Sequence, residues 1–343
     1  MTHSWPDVLA TLVTRTDLSA EQSAWAMGEV LSGEATPAQV AGFVIALRTK
    51  GETVAEVSGL LDAMYSHATP LDIEGRVLDI VGTGGDRSFS VNISSMAAIV
   101  AAGAGARVVK HGNRSASSKS GSADVLEALG VRLDLTPDQV VSVLDQAGIT
   151  FAFAPTFHSA MRHTAVPRRE LGIGTIFNFL GPLANPARPA AQAVGCADVR
   201  MAPVMAGVFA DRGVDAWVFR GDDGLDELTT TTSSTIWRVH EGVIEKIALD
   251  PTELGLSLAT VEDLRGGDTA FNADVIRRLL DGEKGPVRDA VVLNAGAALA
   301  IYDTVGGDVL TKIVDGMERA SAAIDSGAAA GSLEKWVAAC AAV

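Results

Sequence analysis

From Trp5 to about residue 70, the hydrophobic positions recur with a helical period, and no strand-like alternation interrupts them. Capping signals divide this stretch, because Ser19 with Gln22 forms a capping box and Pro37 suits a first helical position. The predicted helices run from Ser19 to about Ser32, from Thr36 to Leu47 and from Thr53 to His67. Residues Ala46–Thr53 are predicted to form the turn between the last two of these helices. The pattern therefore predicts a small all-helical N-terminal domain over residues 1–70.

Beyond residue 70, short apolar runs alternate with helical patterns. The apolar runs predict strands at Arg76–Val81, Arg107–Val109, Thr150–Phe153, Gln192–Cys196 and Asp215–Phe219. Helical patterns cover Ala123–Leu129, Pro137–Gly148, Met201–Arg212, Asn272–Leu280, Val287–Ile301 and one or two segments after Leu310. Such alternation is typical of a mainly parallel sheet with helices on its faces.

Residues Ile236–Ile247 have a different pattern, since apolar and polar positions alternate around Glu241-Gly242. This predicts an antiparallel hairpin near a sheet edge. The fold class is therefore expected to be α/β, with a large domain over residues 71–343 built on a mainly parallel central sheet. Helices near residues 160–188 are candidates to pack on the N-terminal domain.

Composition and charge argue against several classes of function. The chain has 343 residues, 48% of them hydrophobic, and a net charge of −15, so a positive surface for nucleic acid or anionic membrane is not expected. Cys196 and Cys340 form no CxxC motif, which argues against a zinc site or a disulfide framework. The longest membrane-span candidate, Met96–Val109, is short, rich in glycine and interrupted by Arg107. We expect a cytoplasmic protein.

The first candidate loop, Gly82-Thr83-Gly84-Gly85-Asp86, follows a predicted strand and precedes a helix. Its glycines let a ligand approach the backbone, and the N–H groups that begin the next helix can face a phosphate. A plain turn is the alternative, since the loop matches neither a dinucleotide fingerprint nor a P-loop. Hydroxyl and amide side chains around the helix start favour a ligand, although helix capping explains one or two of them; they are Ser90, Asn92, Ser94 and Ser95.

The second candidate loop, Lys110–Ser122, follows the next predicted strand. It holds three cations, one histidine, two glycines and five serines, a composition that can neutralise and hydrogen-bond several phosphate oxygens. A solvated serine loop is the alternative. Because both loops stand at the carboxyl ends of strands, we expect them to converge on one crevice of a parallel sheet.

Two further segments carry candidate chemistry. Four carboxylates follow the apolar Trp217–Phe219 run, namely Asp222, Asp223, Asp226 and Glu227, and hard oxygen ligands of this kind suit Mg²⁺, although an acidic turn is the simpler interpretation. Between Phe151 and Ala187, a basic cluster leads into an apolar segment that would suit an aromatic ligand. The cluster contains Arg162, His163, Arg168 and Arg169.

The motifs GTGGD, NISS, KHGNRSASSKSGSADVLEALG, RRELGIGTIFNFLGPLANPA and GLDELTTTT occur in this order between about Leu47 and Asn294. Together they resemble the anthranilate phosphoribosyltransferases, within the class III phosphoribosyltransferase and nucleoside phosphorylase-like folds. The resemblance implies transfer of the phosphoribosyl group of 5-phospho-α-D-ribose 1-diphosphate (PRPP) to the amine of anthranilate. The products are N-(5-phosphoribosyl)anthranilate and pyrophosphate, in the second step of tryptophan biosynthesis from chorismate. It also implies a Mg²⁺ cofactor and a homodimer.

The resemblance assigns residues to each ligand. Those expected around PRPP are Gly82, Gly85, Asp86, Ser90, Asn92, Ile93, Ser94, Ser95, Lys110, His111, Gly112, Asn113, Arg114, Ser115, Ala116, Ser117, Ser118 and Ser122. Those expected around anthranilate are Gly82, Asn113, His158 and Arg168. The implied metal ligands are Ser94, Asp226 and Glu227, whereas Asp222 and Asp223 remain turn residues. No general base is implied, and Lys110, Asn113 and Arg168 would position the substrates.

This chain departs from the family pattern near the implied acceptor site. Ser159 follows His158 where proline is common, Val166-Pro167 stands where Pro-Val is common, and Gly174 replaces a frequent arginine. The transposed proline changes which residue before Arg168 has a fixed φ.

Two other functions compete with this assignment. A pyrimidine nucleoside phosphorylase of the same fold would carry a lysine-histidine-serine start and a glycine-arginine-glycine loop, both absent here. A non-catalytic nucleic-acid-binding relative would display a basic groove and lose the acidic pair, whereas this chain is acidic and keeps Asp226-Glu227. An enzyme is therefore favoured.

Overall fold

A computed structural model describes residues 3–114, 119–303 and 307–343. The N-terminal helices are α1 (Trp5–Val13), α2 (Ala20–Ser32), α3 (Pro37–Lys50) and α4 (Val54–His67). The helical N-terminal region is confirmed, and Ser19, Thr36 and Thr53 each form a reciprocal capping box. The predicted turn over Ala46–Thr53 is wrong, because α3 continues to Lys50. It stops only at Gly51, whose φ of 96° suits glycine.

Within the described residues, the larger part of the chain contains one seven-stranded sheet. Its strands are β1 (Leu78–Gly82), β2 (Val108–Gly112), β3 (Ile149–Phe153), β4 (Ala191–Gly195), β5 (Asp215–Gly221), β6 (Ser234–His240) and β7 (Val243–Leu249). Their order is β3-β2-β1-β4-β5-β6-β7, and β1 to β5 are parallel. The last two strands form the predicted antiparallel hairpin. Its turn residues Glu241 and Gly242 have φ of 48° and 76°, as a tight hairpin turn requires.

Helices cover both faces of the sheet. They are α5 (Ile93–Gly103), α6 (Ser122–Ala128), α7 (Pro137–Ala147), α8 (Ala154–Phe157), α9 (Ala165–Leu171), α10 (Phe177–Leu183), α11 (Met201–Asp211), α12 (Thr269–Leu280), α13 (Pro286–Tyr302), α14 (Val309–Asp325) and α15 (Ala328–Ala342). Short 3-10 helices occur at Ser159–Thr164 and Pro251–Leu254. The mainly parallel sheet with flanking helices is thus confirmed.

Alternate residues of the central strands enter two different cores, because side chains of a strand point to opposite faces. Ile80 and Phe219 pack on one face with helices that include α5, α13 and α15. Val81 and Val218 pack on the other face with α11 and the N-terminal helices. The 3-10 helix Ser159–Thr164 contacts α2, α9 contacts α3, and α10 contacts α4. The helical bundle is therefore anchored to one face of the sheet. The predicted domain boundary at residue 70 stays a prediction.

The segment Met96–Val109 divides between α5 and the start of β2. Among the helices in the described ranges, none has the length and apolar character needed to cross a membrane. Cys196 and Cys340 are both buried and free.

Candidate functional site

Four of the parallel strands end in glycine, namely β1 at Gly82, β2 at Gly112, β4 at Gly195 and β5 at Gly221. Three of these glycines leave room for the acidic segment that follows β5. A Cβ at Gly82 would lie 3.0 Å from the Asp226 carboxyl carbon, one at Gly195 would overlap the Asp226 carbonyl, and one at Gly221 would lie 2.9 Å from Thr229. The acidic segment thus crosses the carboxyl edge of the sheet at close range.

The two carboxylates of this segment are held by backbone N–H groups of the first candidate loop and the next helix. Asp226 Oδ2 accepts a hydrogen bond from Gly84 N at 2.7 Å, and Glu227 Oε1 accepts one from Ser94 N at 3.2 Å. Ser94 stands in the first turn of α5, where backbone N–H groups favour negative charge. Glu227 Oε2 is buried, and no partner for it lies among the described residues. These contacts place the acidic pair beside the first candidate loop and the start of α5.

The electrostatics of the pair suit a cation. Burial raises the pKa of Glu227 to about 8, and the charge of Asp226 adds to this shift. Burial likewise raises the pKa of Asp226 to about 6, with a further contribution from Asp86. Two buried carboxylates, one with an oxygen that no described residue engages, fit a hard divalent ion that keeps several waters. No group of three or more His, Cys, Asp or Glu side chains is placed to hold a metal in the described part of the chain.

Lys110 places a cation beside this pair. Its side chain is 1% exposed, and Nζ donates to the Ile80 carbonyl of β1 and to Ser94 Oγ at 3.3 Å. Burial lowers the pKa of Lys110, whereas the charges of Asp79, Glu227 and Asp226 oppose that shift. The ammonium therefore lies at the carboxyl edge of the sheet, beside the hydroxyl predicted to bind metal.

Asp79 and Asn185 form hydrogen bonds with the backbone at the end of β2, where the second loop begins. Asp79 Oδ1 accepts a hydrogen bond from His111 N at 3.1 Å, and Asp79 Oδ2 accepts one from Asn185 Nδ2 at 2.9 Å. Asn185 Nδ2 also donates to the Val109 carbonyl at 2.8 Å. Burial raises the pKa of Asp79 to about 6. Sequence reasoning missed Asn185, whose signal is a lone amide two residues after the end of α10.

Two histidines contact the carbonyl groups of α10 and the residue after it. His111 Nδ1–H donates to Gly181 O at 3.0 Å, and His158 Nε2–H donates to Ala184 O at 2.7 Å. Their ring centroids are 5.2 Å apart. Burial lowers the pKa of His111 to about 3, with His158 contributing, and burial also lowers the pKa of His158. His111 is therefore neutral, and its buried Nε2 is an acceptor with no partner among the residues described.

Arg168 lies on α9, next to the beginning of α10. Its guanidinium carbon is 5.9 Å from the centroid of the Phe177 ring, at the beginning of α10. Burial lowers the pKa of Arg168, and no ion pair engages its guanidinium in the described ranges. Pro167 is buried in the first turn of α9, where its missing N–H has no intrahelical role. The transposed proline is thus compatible with the helix that carries Arg168.

Three predicted donor-site residues have side chains with other contacts in this structure. Arg114 pairs with Asp124 at 2.9 Å and Glu127 at 2.8 Å on α6. Asn113 is exposed, and its Oδ1 accepts a hydrogen bond from Arg114 N. The Ile93 side chain belongs to the core, which leaves only its main chain for a ligand. The predictions at Ser115, Ala116, Ser117 and Ser118 lie outside the described residues.

The remaining predicted donor-site residues line the two loops. Asn92 precedes α5 without capping it, because its Oδ1 accepts from Asn272 Nδ2 at 2.9 Å and its Nδ2 donates to Ser120 O. Ser95 Oγ is buried without a partner in the part of the chain that the structure describes. The backbone of Ser90 forms an isolated antiparallel β-bridge with that of Arg265, and Ser122 is the first residue of α6. Asn272, an amide within the apolar face of α12, was not anticipated.

The helical bundle packed on a mainly parallel sheet, with Lys110, Ser94 and the acidic pair at the carboxyl edge, is the architecture of a glycosyltransferase family. The description "Glycosyl transferase family, a/b domain" matches residues 74–330, and "Glycosyl transferase family, helical bundle domain" matches residues 6–68. An anthranilate phosphoribosyltransferase from Nocardioides sp. is 69% identical over 98% of both chains, and one from Arthrobacter sp. is 59% identical over 98% of this chain and 96% of its own.

Solved structures agree with these relatives. The crystal structure of anthranilate phosphoribosyltransferase from Thermus thermophilus has a TM-score of 0.91 at 40% identity and covers 98% of this chain and 99% of its own. The enzyme of the same name from Saccharomyces cerevisiae, in complex with PRPP and Mg, has a TM-score of 0.90 at 25% identity, with 99% and 98% covered. The chain belongs to the anthranilate phosphoribosyltransferase family.

Proposed function

We propose that this protein transfers the phosphoribosyl group of PRPP to the amine of anthranilate and releases pyrophosphate. The observation that carries the proposal is the meeting of Lys110, Ser94 and the Asp226–Glu227 pair where β1 and β2 end. With a net charge of −15, the chain repels a polyanion in general, so a PRPP site must rely on such local groups. The names of the relatives support the same pair of substrates.

The donor side would act mainly through electrostatics. Lys110 supplies positive charge, and the N-terminal end of α5 carries a partial positive charge that favours phosphate oxygens. Ser95 Oγ, buried and unpaired among the described residues, is a further donor. As the bond between C1 and the pyrophosphate oxygen breaks, these groups would stabilise the departing charge.

Asp226, Glu227 and the hydroxyl of Ser94 would hold Mg²⁺. Bound there, the ion would neutralise pyrophosphate oxygens. Its charge would also offset the repulsion that raises the pKa values of the two carboxylates.

The acceptor side would bind and orient anthranilate. Arg168 is suited to its carboxylate, because a planar guanidinium offers parallel N–H donors and this one has no ion-pair partner in the described part of the chain. Gly82, Asn113 and His158 are the further proposed contacts. The arylamine is neutral at pH 7, so its nitrogen can form the bond to C1 without a strong base and then lose a proton to solvent. Positioning of the two substrates would supply much of the rate.

The proposal is tested by following the fluorescence of anthranilate with purified protein, with and without PRPP and Mg²⁺. We expect the signal to fall only when both are present. Asp226→Asn should raise the metal concentration for half-maximal rate by at least about tenfold, since even indirect partners of a metal ligand change affinity by about 10- to 100-fold. Asp222→Asn is the matched control, because Asp222 is exposed in the same segment.

Failure of anthranilate consumption under all conditions would refute the proposed reaction. An equal shift in both variants would remove the specific metal role of Asp226. We also propose a homodimer, which the family resemblance supports and light scattering would test. A mass of one chain would refute it.

A further inference from the structure

The acidic segment between β5 and β6 has no regular secondary structure over residues 222–233, and its residues 225–230 are buried. Backbone N–H and C=O groups in such a segment need partners other than a helix or sheet ladder. Asp223 supplies some of them, because its carboxylate accepts from Leu225 N at 3.0 Å and from the Thr229 hydroxyl at 2.8 Å. This confirms Asp223 as a turn residue and leaves the backbone beside Glu227 to be explained.

Asn294 provides the partners at Leu228, the residue directly after Glu227. Its Oδ1 accepts a hydrogen bond from Leu228 N at 3.0 Å, and its Nδ2 donates to Leu228 O at 2.8 Å. Nδ2 also donates to Ala290 O at 2.9 Å, within its own helix α13. The side chain is 1% exposed. One amide therefore satisfies both backbone groups of Leu228, as a neighbouring strand would.

The pair Asp226–Glu227 is thus held from two directions. On one side, Gly82 and Gly195 leave no space for any Cβ between the strand ends and Asp226. On the other side, the Asn294 amide holds Leu228 against α13, a helix that is buried along most of its length. A rotation of the Leu228 peptide would carry the Glu227 side chain away from Ser94 N, its hydrogen-bond donor.

We propose that Asn294 is a positioning residue for the Asp226–Glu227 metal pair. The inference rests on the proposed function insofar as that pair binds a divalent ion. Asn294 would touch neither ion nor substrate, and it would act only by fixing the backbone beside Glu227. Sequence analysis gave no role to this residue, whose signal is a lone amide in the apolar VVLNAGAALAI run of α13.

The test is a Mn²⁺ titration of the full-length protein in the presence of PRPP, with free Mn²⁺ measured by electron paramagnetic resonance. Asn294→Ala and Asn294→Leu should each weaken Mn²⁺ binding by about 10- to 100-fold, the range typical of partners that orient metal ligands. The leucine variant restores most of the lost volume, so it separates the amide from packing. If neither variant folds, Asn294→Asp keeps the acceptor for Leu228 N and loses the donors, and the same weakening is expected.

Val291→Ala is the matched control, because it removes buried methyl groups from the same helix without changing the Asn294 amide. We expect this control to lower the melting temperature and to leave Mn²⁺ affinity unchanged. Wild-type Mn²⁺ affinity in the Asn294 variants, or recovery of affinity in Asn294→Leu, would overturn the inference. If wild type and Asp226→Asn bind Mn²⁺ equally, the proposed metal pair is overturned as well.

Discussion

Replacement of Arg168 by alanine should weaken the use of anthranilate far more than the use of PRPP. The guanidinium is desolvated enough for burial to lower its pKa, and it makes no ion pair in the described ranges. A carboxylate that arrives there finds two parallel N–H donors whose charge is not already neutralised. The variant removes both donors and leaves the Phe177 ring without its cation.

The magnitude follows from the partial burial. Removing one partner of a buried, hydrogen-bonded charge pair costs about 2–5 kcal/mol, and we take the lower part of that range, about 2–3 kcal/mol, because Arg168 is only half-buried. This corresponds to a loss of about 30- to 150-fold in kcat/KM for anthranilate. Arg168→Lys should recover part of the loss, since it keeps the charge but not the planar pair of donors.

The assay measures initial rates from anthranilate fluorescence while each substrate is varied at saturating levels of the other. Arg169→Ala is the control, because Arg169 is the next residue of α9 and is exposed. We expect this control to stay within about twofold of wild type, as for an isolated surface charge. Equal increases in KM for both substrates in Arg168→Ala, or equal losses in the two alanine variants, would refute the reasoning.

Two further predictions concern the groups beneath the second loop. Asn185→Ala should lower the free energy of unfolding by about 3–5 kcal/mol, because it removes the Asn185 donor from both the buried Asp79 Oδ2 and the Val109 carbonyl. A loss below about 1 kcal/mol in urea unfolding would contradict this. His111 has a native pKa of about 3 against about 6.5 in the unfolded chain, so its contribution to stability is complete above pH 6.5 and is lost as the pH falls. That loss should be about 2 kcal/mol between pH 7 and pH 5 and should be absent in His111→Asn, and equal pH slopes for the two proteins would contradict it.

Local sequence signals predicted correctly those features whose contacts lie within a few residues of one another. The capping boxes at Ser19, Thr36 and Thr136 each join residues three apart, so their helices begin where predicted. The Glu241-Gly242 turn likewise defined its hairpin without help from the rest of the chain. The end of α3 was misjudged, because no local signal before Gly51 stops the helix.

Sequence motifs were sufficient to identify the family, which relatives aligned over nearly the whole chain confirm. These motifs are the two glycine- and hydroxyl-rich loops and the GLDE segment. They also predicted that the two loops would converge, because loops at the carboxyl ends of parallel strands share one edge of the sheet, and Lys110 donates a hydrogen bond to Ser94. Periodicity alone could not predict that Arg114 would form ion pairs with Asp124 and Glu127 of α6, because a long cation pairs with whichever carboxylates the packing brings within reach.

The sequence by itself therefore determined the helical bundle, the alternation that builds the sheet, and the family of the protein, since these depend on local period, turn chemistry and motif order. The tertiary structure alone decided that β1 lies between β2 and β4, and that Asn185 and Asn294 hold Asp79 and Leu228. The physical reason is that each of these contacts joins residues far apart along the chain. Whether a buried amide reaches its hydrogen-bond partner depends on how the helices pack on the sheet. No short stretch of sequence specifies that packing.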